Sequence, residues 1–140
     1  MRNCLESSED VAALLCSYGI NPTRQRLQIA RALFASPGHL SADQVLAAVN
    51  ERRPATSKAT VYNTLNLFRD RGLIREVIAN PNKVFYDPNT APHYHFYDVD
   101  TGELTDIDAR SVEVTGLPPL PSGTVTEGVD IIVRVRSRAG

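Results

Sequence analysis

The three histidines of this 140-residue chain are its best candidates for chemistry. His93 and His95 form a His-x-His pair, and two residues at this spacing on a β-strand point to the same side of the sheet. Neutral imidazole nitrogens held together on a strand suit a divalent metal, and Asp87 and Asp106 could add carboxylate oxygens. A solvated surface pair is the alternative that this spacing leaves open. The third histidine is His39.

A polar helix face is the second candidate site. Residues 57–71 predict a helix, because apolar residues recur at helical spacing and Gly72 follows as a stop. Its polar face is composed of residue types that contact nucleic acids, since Lys and Arg hold phosphates and Asn reads base edges. These residues are Lys58, Tyr62, Asn63, Asn66 and Arg69. Arg24, on an earlier helix, could hold a phosphate as well, although an ordinary solvated face is the open alternative.

The elements that must position these residues follow a recognisable order. Helical periodicity and capping residues predict three helices before the fourth. Residues 73–79 and 83–86 then predict two strands joined by a turn. Three helices, a polar-faced fourth helix and a hairpin are the order of a winged helix-turn-helix domain.

The remaining residues predict a second, smaller domain. Residues 87–92 contain two prolines and predict a hinge. Residues 93–97 and 103–107 predict a hairpin, and 129–135 alternates like a strand with one apolar face. About fifty residues bury little core alone, so we expect this part to pair with a second copy. The predicted fold class is therefore α+β.

Charge and composition limit the function classes. Residues 1–88 carry eleven Lys and Arg against eight Asp and Glu, whereas residues 89–140 carry four against eight, an asymmetry that weakly favours a polyanionic partner for the first part. No apolar run approaches the ~20 residues that cross a bilayer, and no signal-peptide stretch is seen, so we expect a cytoplasmic protein without membrane contact. Two cysteines cannot build a cysteine-rich zinc site.

Four motifs in fixed order resemble the Fur family of bacterial metalloregulators. They are Asn-Pro-Thr-Arg-Gln-Arg at 21–26, Gly-His-Leu-Ser-Ala-Asp at 38–43, Ser-Lys-Ala-Thr-Val-Tyr-Asn-Thr-Leu at 57–65 and His-Tyr-His at 93–95. The resemblance covers roughly residues 10–135. It implies a winged-helix DNA-binding domain over 1–86, a hinge over 87–92 and an α/β dimerisation and metal-sensing domain over 93–140. In that family a divalent metal closes a homodimer into its DNA-binding shape.

The resemblance also implies the regulatory metal ligands. They are His39, Asp87, His93, His95 and Asp106, with Fe²⁺ or Mn²⁺ as the expected metal and Zn²⁺ as a competitor in purified protein. An aspartate at position 106 is similar to the PerR and Irr branches of the family, and the ending of the chain is most similar to Irr.

Two departures from the family pattern change what is expected. Asp98 and Thr101 stand where the family's structural zinc has a Cys-x-x-Cys pair, so no structural zinc is expected. Cys4 precedes Leu and Cys16 precedes Ser, so the Cys-Pro haem motif of some Irr proteins is missing and haem binding is uncertain.

The resulting hypothesis is a metal-dependent homodimeric transcriptional regulator that binds double-stranded operator DNA and controls iron homeostasis, peroxide stress genes, or both. A haem-responsive Irr-like regulator and a metal-independent DNA-binding dimer are the alternatives. A non-haem iron enzyme is disfavoured, because about fifty residues are too few for the barrel that such oxygen chemistry uses. We therefore expect no enzyme activity.

Overall fold

The computed structural model describes residues 8–36, 39–51, 56–91 and 93–138. The chain divides into two compact units, Met1–Thr90 and Ala91–Gly140. The division falls inside the segment 87–92 that the sequence suggests as a hinge, and hinge behaviour stays a prediction. Among the described residues, no helix is both long enough and apolar enough to cross a membrane.

The first unit contains helices and a small sheet. Its elements are α1 (Ser8–Ser17), α2 (Arg24–Ala35), β1 (Leu40–Ser41), α3 (Ala42–Val49), α4 (Lys58–Asp70), β2 (Arg75–Asn80) and β3 (Lys83–Asp87). Side-chain oxygens of Thr23, Ser41 and Ser57 each accept a backbone N–H in the first turn of α2, α3 and α4, which fixes the helix starts. The sequence offers Ser7 or Ser8 as the cap of α1, and Ser7 lies outside the described residues. The same holds for residues 37–38 and 52–54, where prolines predict that α2 and α3 end.

The core of the first unit forms beneath α4. Val61, Leu65 and Phe68 lie on one side of this helix, and each is fully buried. They belong to one apolar cluster with residues of the other three helices and of the sheet, among them Val11, Leu15, Ile29, Leu33, Val45 and Tyr86. The polar face of α4 is consequently turned away from the core, as its periodicity predicts. Tyr18 continues the helical spacing of Leu14 and Leu15 in the sequence, which predicts that it is buried, but it follows the end of α1 and is exposed.

The sheet of the first unit has one more strand than the sequence predicts. β2 and β3 form the expected antiparallel hairpin, and the two-residue β1 adds to the other edge of β3, so the strand order is β1-β3-β2. Asp87, which the sequence assigns to the hinge, is the last residue of β3, because it pairs with Arg75. Its backbone is therefore held in a ladder.

The second unit is a three-stranded sheet. Its strands are β4 (His93–Asp98), β5 (Leu104–Asp108) and β6 (Ile132–Val135), in the order β5-β4-β6. The predicted hairpin is present, since β4 pairs antiparallel with β5, while β6 pairs parallel with β4. Residues 112–131 form no regular element, so the strand predicted over 129–135 is shorter than expected and begins at Ile132, where its pairing with β4 starts. A 3₁₀ turn at Ala109–Ser111 is the single helical stretch in the described part of this unit.

Candidate functional site

A short strand brings His39 to Asp87 in the first unit. Leu40 pairs with Tyr86 across the antiparallel β1–β3 ladder, so the residue before Leu40 arrives opposite the residue after Tyr86. His39 Nε2 lies 2.9 Å from Asp87 Oδ2, and both side chains are more than nine-tenths buried. A buried carboxylate beside an imidazole is one half of a metal-ligand set. We call these two residues the unit-1 pair.

Three further ligand candidates converge in the second unit. His93 and His95 lie on the same side of β4, and Asp106 pairs with His95 across the β4–β5 ladder. The Nε2 atoms of His93 and His95 lie 3.4 Å and 3.5 Å from the same atom, Asp106 Oδ1. Both histidines are buried, whereas Asp106 is half exposed. We call these three residues the unit-2 triad.

A backbone carbonyl orients the His93 ring. His93 Nδ1 lies 2.6 Å from the carbonyl oxygen of Ala91. Because a carbonyl oxygen only accepts hydrogen bonds, this contact requires the proton on Nδ1 and leaves the Nε2 lone pair of a neutral imidazole available. Metal-binding histidines typically have such a support on their second nitrogen. The geometry of the triad therefore suits a divalent cation that takes nitrogen and oxygen ligands.

The polar face of α4 offers the groups expected of a nucleic-acid interface. Tyr62 is 38% exposed, and Asn63 and Lys58 are exposed as well. The Lys58 Nζ lies 5.8 Å from the centre of the Tyr62 ring, a cation–π distance. Asn66 is half-buried on the same helix, and Arg24 is exposed at the start of α2. Whether these residues contact DNA stays a prediction.

Arg69 differs from the other basic residues of the predicted interface. Its Nη1 donates to Glu76 Oε2 at 2.8 Å, and its Nε and Nη2 both donate to Asp70 Oδ1 at 3.1 Å. These bonds, with Glu76 first, raise the pKa of the Arg69 guanidinium above its ordinary value. In the part of the chain that the structure describes, no carboxylate pairs with Arg24 or Lys58.

Comparison with known proteins identifies the family. The Ferric uptake regulator family matches residues 17–117, which is well over half of the chain. The chain belongs to this family. The peroxide-responsive repressor PerR of Staphylococcus epidermidis is 35% identical over 98 residues, a match that covers 70% of this chain and 65% of that protein. The matched stretch thus spans slightly less than two thirds of this relative.

Solved structures of the Fur family share the fold. The ferric uptake regulator of Pseudomonas aeruginosa, solved with manganese, has a TM-score of 0.67 and 24% identity, covering 91% of this chain and 97% of that one. The ferric uptake regulator of Francisella tularensis, solved with iron, has a TM-score of 0.69 and 20% identity, covering 86% and 93%. The predicted α+β class with an N-terminal winged helix is confirmed.

One Fur-family departure has a visible local consequence. Asp98, which the resemblance aligns with a structural-zinc cysteine, closes the β4–β5 turn. Its Oδ1 accepts the backbone N–H groups of Asp100 and Thr101 at 2.9 Å and 3.1 Å. A carboxylate that accepts two backbone donors stabilises the turn without a metal.

Two features of the candidate sites could not be predicted from the sequence: strand β1 and the partner of Arg69. β1 has two residues, too few to show the alternation that marks a strand, although the Ser41 capping box places the start of α3 directly after it. Glu76 lies on β2, outside every motif, so its bond to Arg69 has no signal in the sequence.

Proposed function

We propose that the chain is a metal-dependent, homodimeric transcriptional regulator that binds a double-stranded DNA operator. One observation carries the proposal: two histidine nitrogens and one carboxylate converge in the unit-2 triad, with the His93 ring oriented for Nε2 ligation. The proposed setting is the cytoplasm.

The proposed metal site combines the unit-1 pair with the unit-2 triad. Three imidazoles and two carboxylates form a nitrogen and oxygen set that suits Fe²⁺ or Mn²⁺, with Zn²⁺ as a strong competitor. The relatives solved with manganese and with iron favour the same metals. A bound ion would tie the two units together and so set the separation of the two recognition helices in a dimer, which must match half-sites about one helical turn apart.

The proposed DNA interface is the polar face of α4 with the start of α2. Tyr62, Asn63 and Asn66 would reach base edges, because α4 is the helix that a winged helix inserts into the major groove. Lys58 and Arg24 would hold phosphates, since both are exposed cations.

The proposed homodimer uses the face of the second sheet opposite the histidines. Phe96 pairs with Val133 of β6 in the parallel ladder, so the two side chains share one face, and Val135 follows two residues later. These three are 42%, 39% and 38% exposed. An exposed apolar row on a small sheet is the surface that a second copy would cover.

Manganese titration tests whether the two ligand groups act together. Metal at a hundred times its dissociation constant should stabilise the folded chain by about 2.7 kcal/mol. We expect His39→Gln and Asp106→Asn each to abolish most of this gain, although they change different units. Asp108→Asn is the matched control, because Asp108 lies two residues along β5 and bonds Arg110 instead of the histidines. Equal manganese stabilisation of His39→Gln and the parent would exclude a shared site.

A gel shift on the DNA upstream of the protein's own gene tests the proposed activity. With Mn²⁺ the parent should bind this DNA and leave a scrambled duplex unbound. Binding that does not depend on Mn²⁺ would favour the metal-independent dimer. The peroxide-responsive relatives lead us to propose peroxide stress or iron homeostasis genes as targets, with a haem-responsive regulator as the alternative.

A further inference from the structure

The strongest unassigned feature is the ion pair between the recognition helix α4 and strand β2. Arg69 and Glu76 are joined by a 2.8 Å bond, and Asp70 takes the remaining guanidinium nitrogens. Exposed ion pairs contribute little to stability, but this one is only partly exposed, with 38% of the Arg69 side chain and 26% of the Glu76 side chain accessible. The ion pair matters for function because of where it lies on α4.

Arg69 lies on the face of α4 that carries Tyr62. The two residues are seven positions apart, which is almost two full helical turns, so their side chains leave the helix in nearly the same direction. Glu76 and Tyr62 line the same open cleft of about 250 Å³, together with Lys83 and Tyr86. The carboxylate that holds Arg69 is therefore beside the proposed DNA-reading face.

We infer that Glu76 is a positioning residue that withholds Arg69 from the DNA backbone. This inference rests on the proposed DNA-binding function. Glu76 occupies the guanidinium as a phosphate oxygen would, because carboxylates and phosphates accept the same pattern of donors. With two carboxylates bonded to one guanidinium, the group carries net negative charge and does not attract phosphate. Glu76 thereby limits the number of phosphate contacts that the protein makes. It also limits the part of the DNA affinity that does not depend on base sequence.

The salt dependence of DNA affinity separates this role from a purely structural one. Each phosphate contact changes the slope of log affinity against log salt by about 0.9. The remaining partner, Asp70, is 66% exposed and can give the guanidinium up to a phosphate. We therefore expect Glu76→Gln to steepen this slope by up to about 0.9 and to raise the affinity for scrambled DNA by up to about eightfold at 0.1 M salt. Arg69→Gln alone should leave the parent slope unchanged. The double variant should return to the parent slope.

The probes are Mn²⁺-loaded full-length protein, a duplex from the DNA upstream of its own gene and a scrambled duplex of equal composition. Glu51→Gln is the charge-matched control, because Glu51 is exposed in the same unit and the structure gives it no side-chain ion pair within the described residues. It should leave the slope within about 0.3 of the parent value. Thermal unfolding establishes that each variant is folded.

Two results would overturn the inference while the proposed function stands. A slope that falls by about 0.9 in Arg69→Gln would mean that Arg69 already contacts a phosphate in the parent. Weaker binding with an unchanged slope in folded Glu76→Gln would mean that the ion pair only braces the helix against the sheet. If the parent binds neither duplex under any metal condition, the proposed function fails and the inference fails with it.

Discussion

Tyr62 provides the sharpest test of the DNA interface. It is 38% exposed, so replacing it by Ala also removes buried ring surface, and thermal unfolding must first show that the variant is folded. In a complex, loss of a good base contact costs about 1–3 kcal/mol, which is a 5- to 150-fold loss of affinity. Tyr62 also holds Lys58 at 5.8 Å, and loss of an exposed cation–π contact adds about 0.5–1 kcal/mol if it pre-positions the lysine.

Its neighbour Val61 is the matched contrast. Val61 is fully buried in the core beneath α4, so Val61→Ala should lower the free energy of unfolding by about 2 kcal/mol. At temperatures where the protein remains folded, it should bind DNA like the parent. Val61→Ala should therefore lower stability without weakening DNA binding, whereas Tyr62→Ala should mainly weaken DNA binding.

Fluorescence anisotropy with Mn²⁺ and the upstream duplex measures the DNA affinity of Tyr62→Ala and Val61→Ala. Tyr62→Phe is a further control, because it keeps the ring beside Lys58. We expect Tyr62→Ala to lose specific binding while its affinity for scrambled DNA changes much less. Lys58→Ala should weaken binding to both duplexes and reduce the salt slope by about one. If Tyr62→Ala binds the upstream duplex as the parent does, α4 is not the recognition helix.

Three further outcomes are expected. Phe68→Ala should lower the free energy of unfolding by about 3–5 kcal/mol, because Phe68 is fully buried in the first unit; a loss below 1 kcal/mol in urea titration would contradict this packing. After strong chelation the dimer should persist in sedimentation, because no cysteine pair holds a structural zinc, and monomers would reveal a structural metal. Mild peroxide should abolish DNA binding of the Fe²⁺-loaded protein but not of the Mn²⁺-loaded protein, adding one oxygen to a peptide with His39 or His93; unmodified histidines with binding retained would leave iron or haem as the signal.

Much of the fold follows from local signals. The helix starts at Thr23, Ser41 and Ser57 and the two hairpins are encoded by neighbouring residues, so the sequence predicts them within a few positions. β1 depends on a long-range ladder with β3, and a two-residue strand has no periodicity of its own. His39 could therefore be assigned to the metal site only by resemblance to the family, whereas its contact with Asp87 follows from the ladder register.

The ion pair of Arg69 shows a second limit of what the sequence can predict. Periodicity correctly assigns Arg69 to the polar face of α4, but it cannot predict which side chain of another element contacts that face. Glu76 lies on β2 and reaches Arg69 across the turn that follows Gly72, where the helix ends with a positive φ of 82°. Arg69 therefore meets Glu76 because the chain reverses at this glycine, which the sequence of α4 alone does not show.

Alternation along β4 links the two proposed roles of the second unit. His93 and His95 lie on one side of the strand, and Phe96 lies on the other, beside Val133. A shift of one residue in the pairing with β5 would turn both histidines to the apolar side and remove His95 from Asp106. The same register that assembles the unit-2 triad therefore also assembles the exposed apolar row. Because Asp98 closes the hairpin turn through two backbone bonds, these protein contacts help to hold this register.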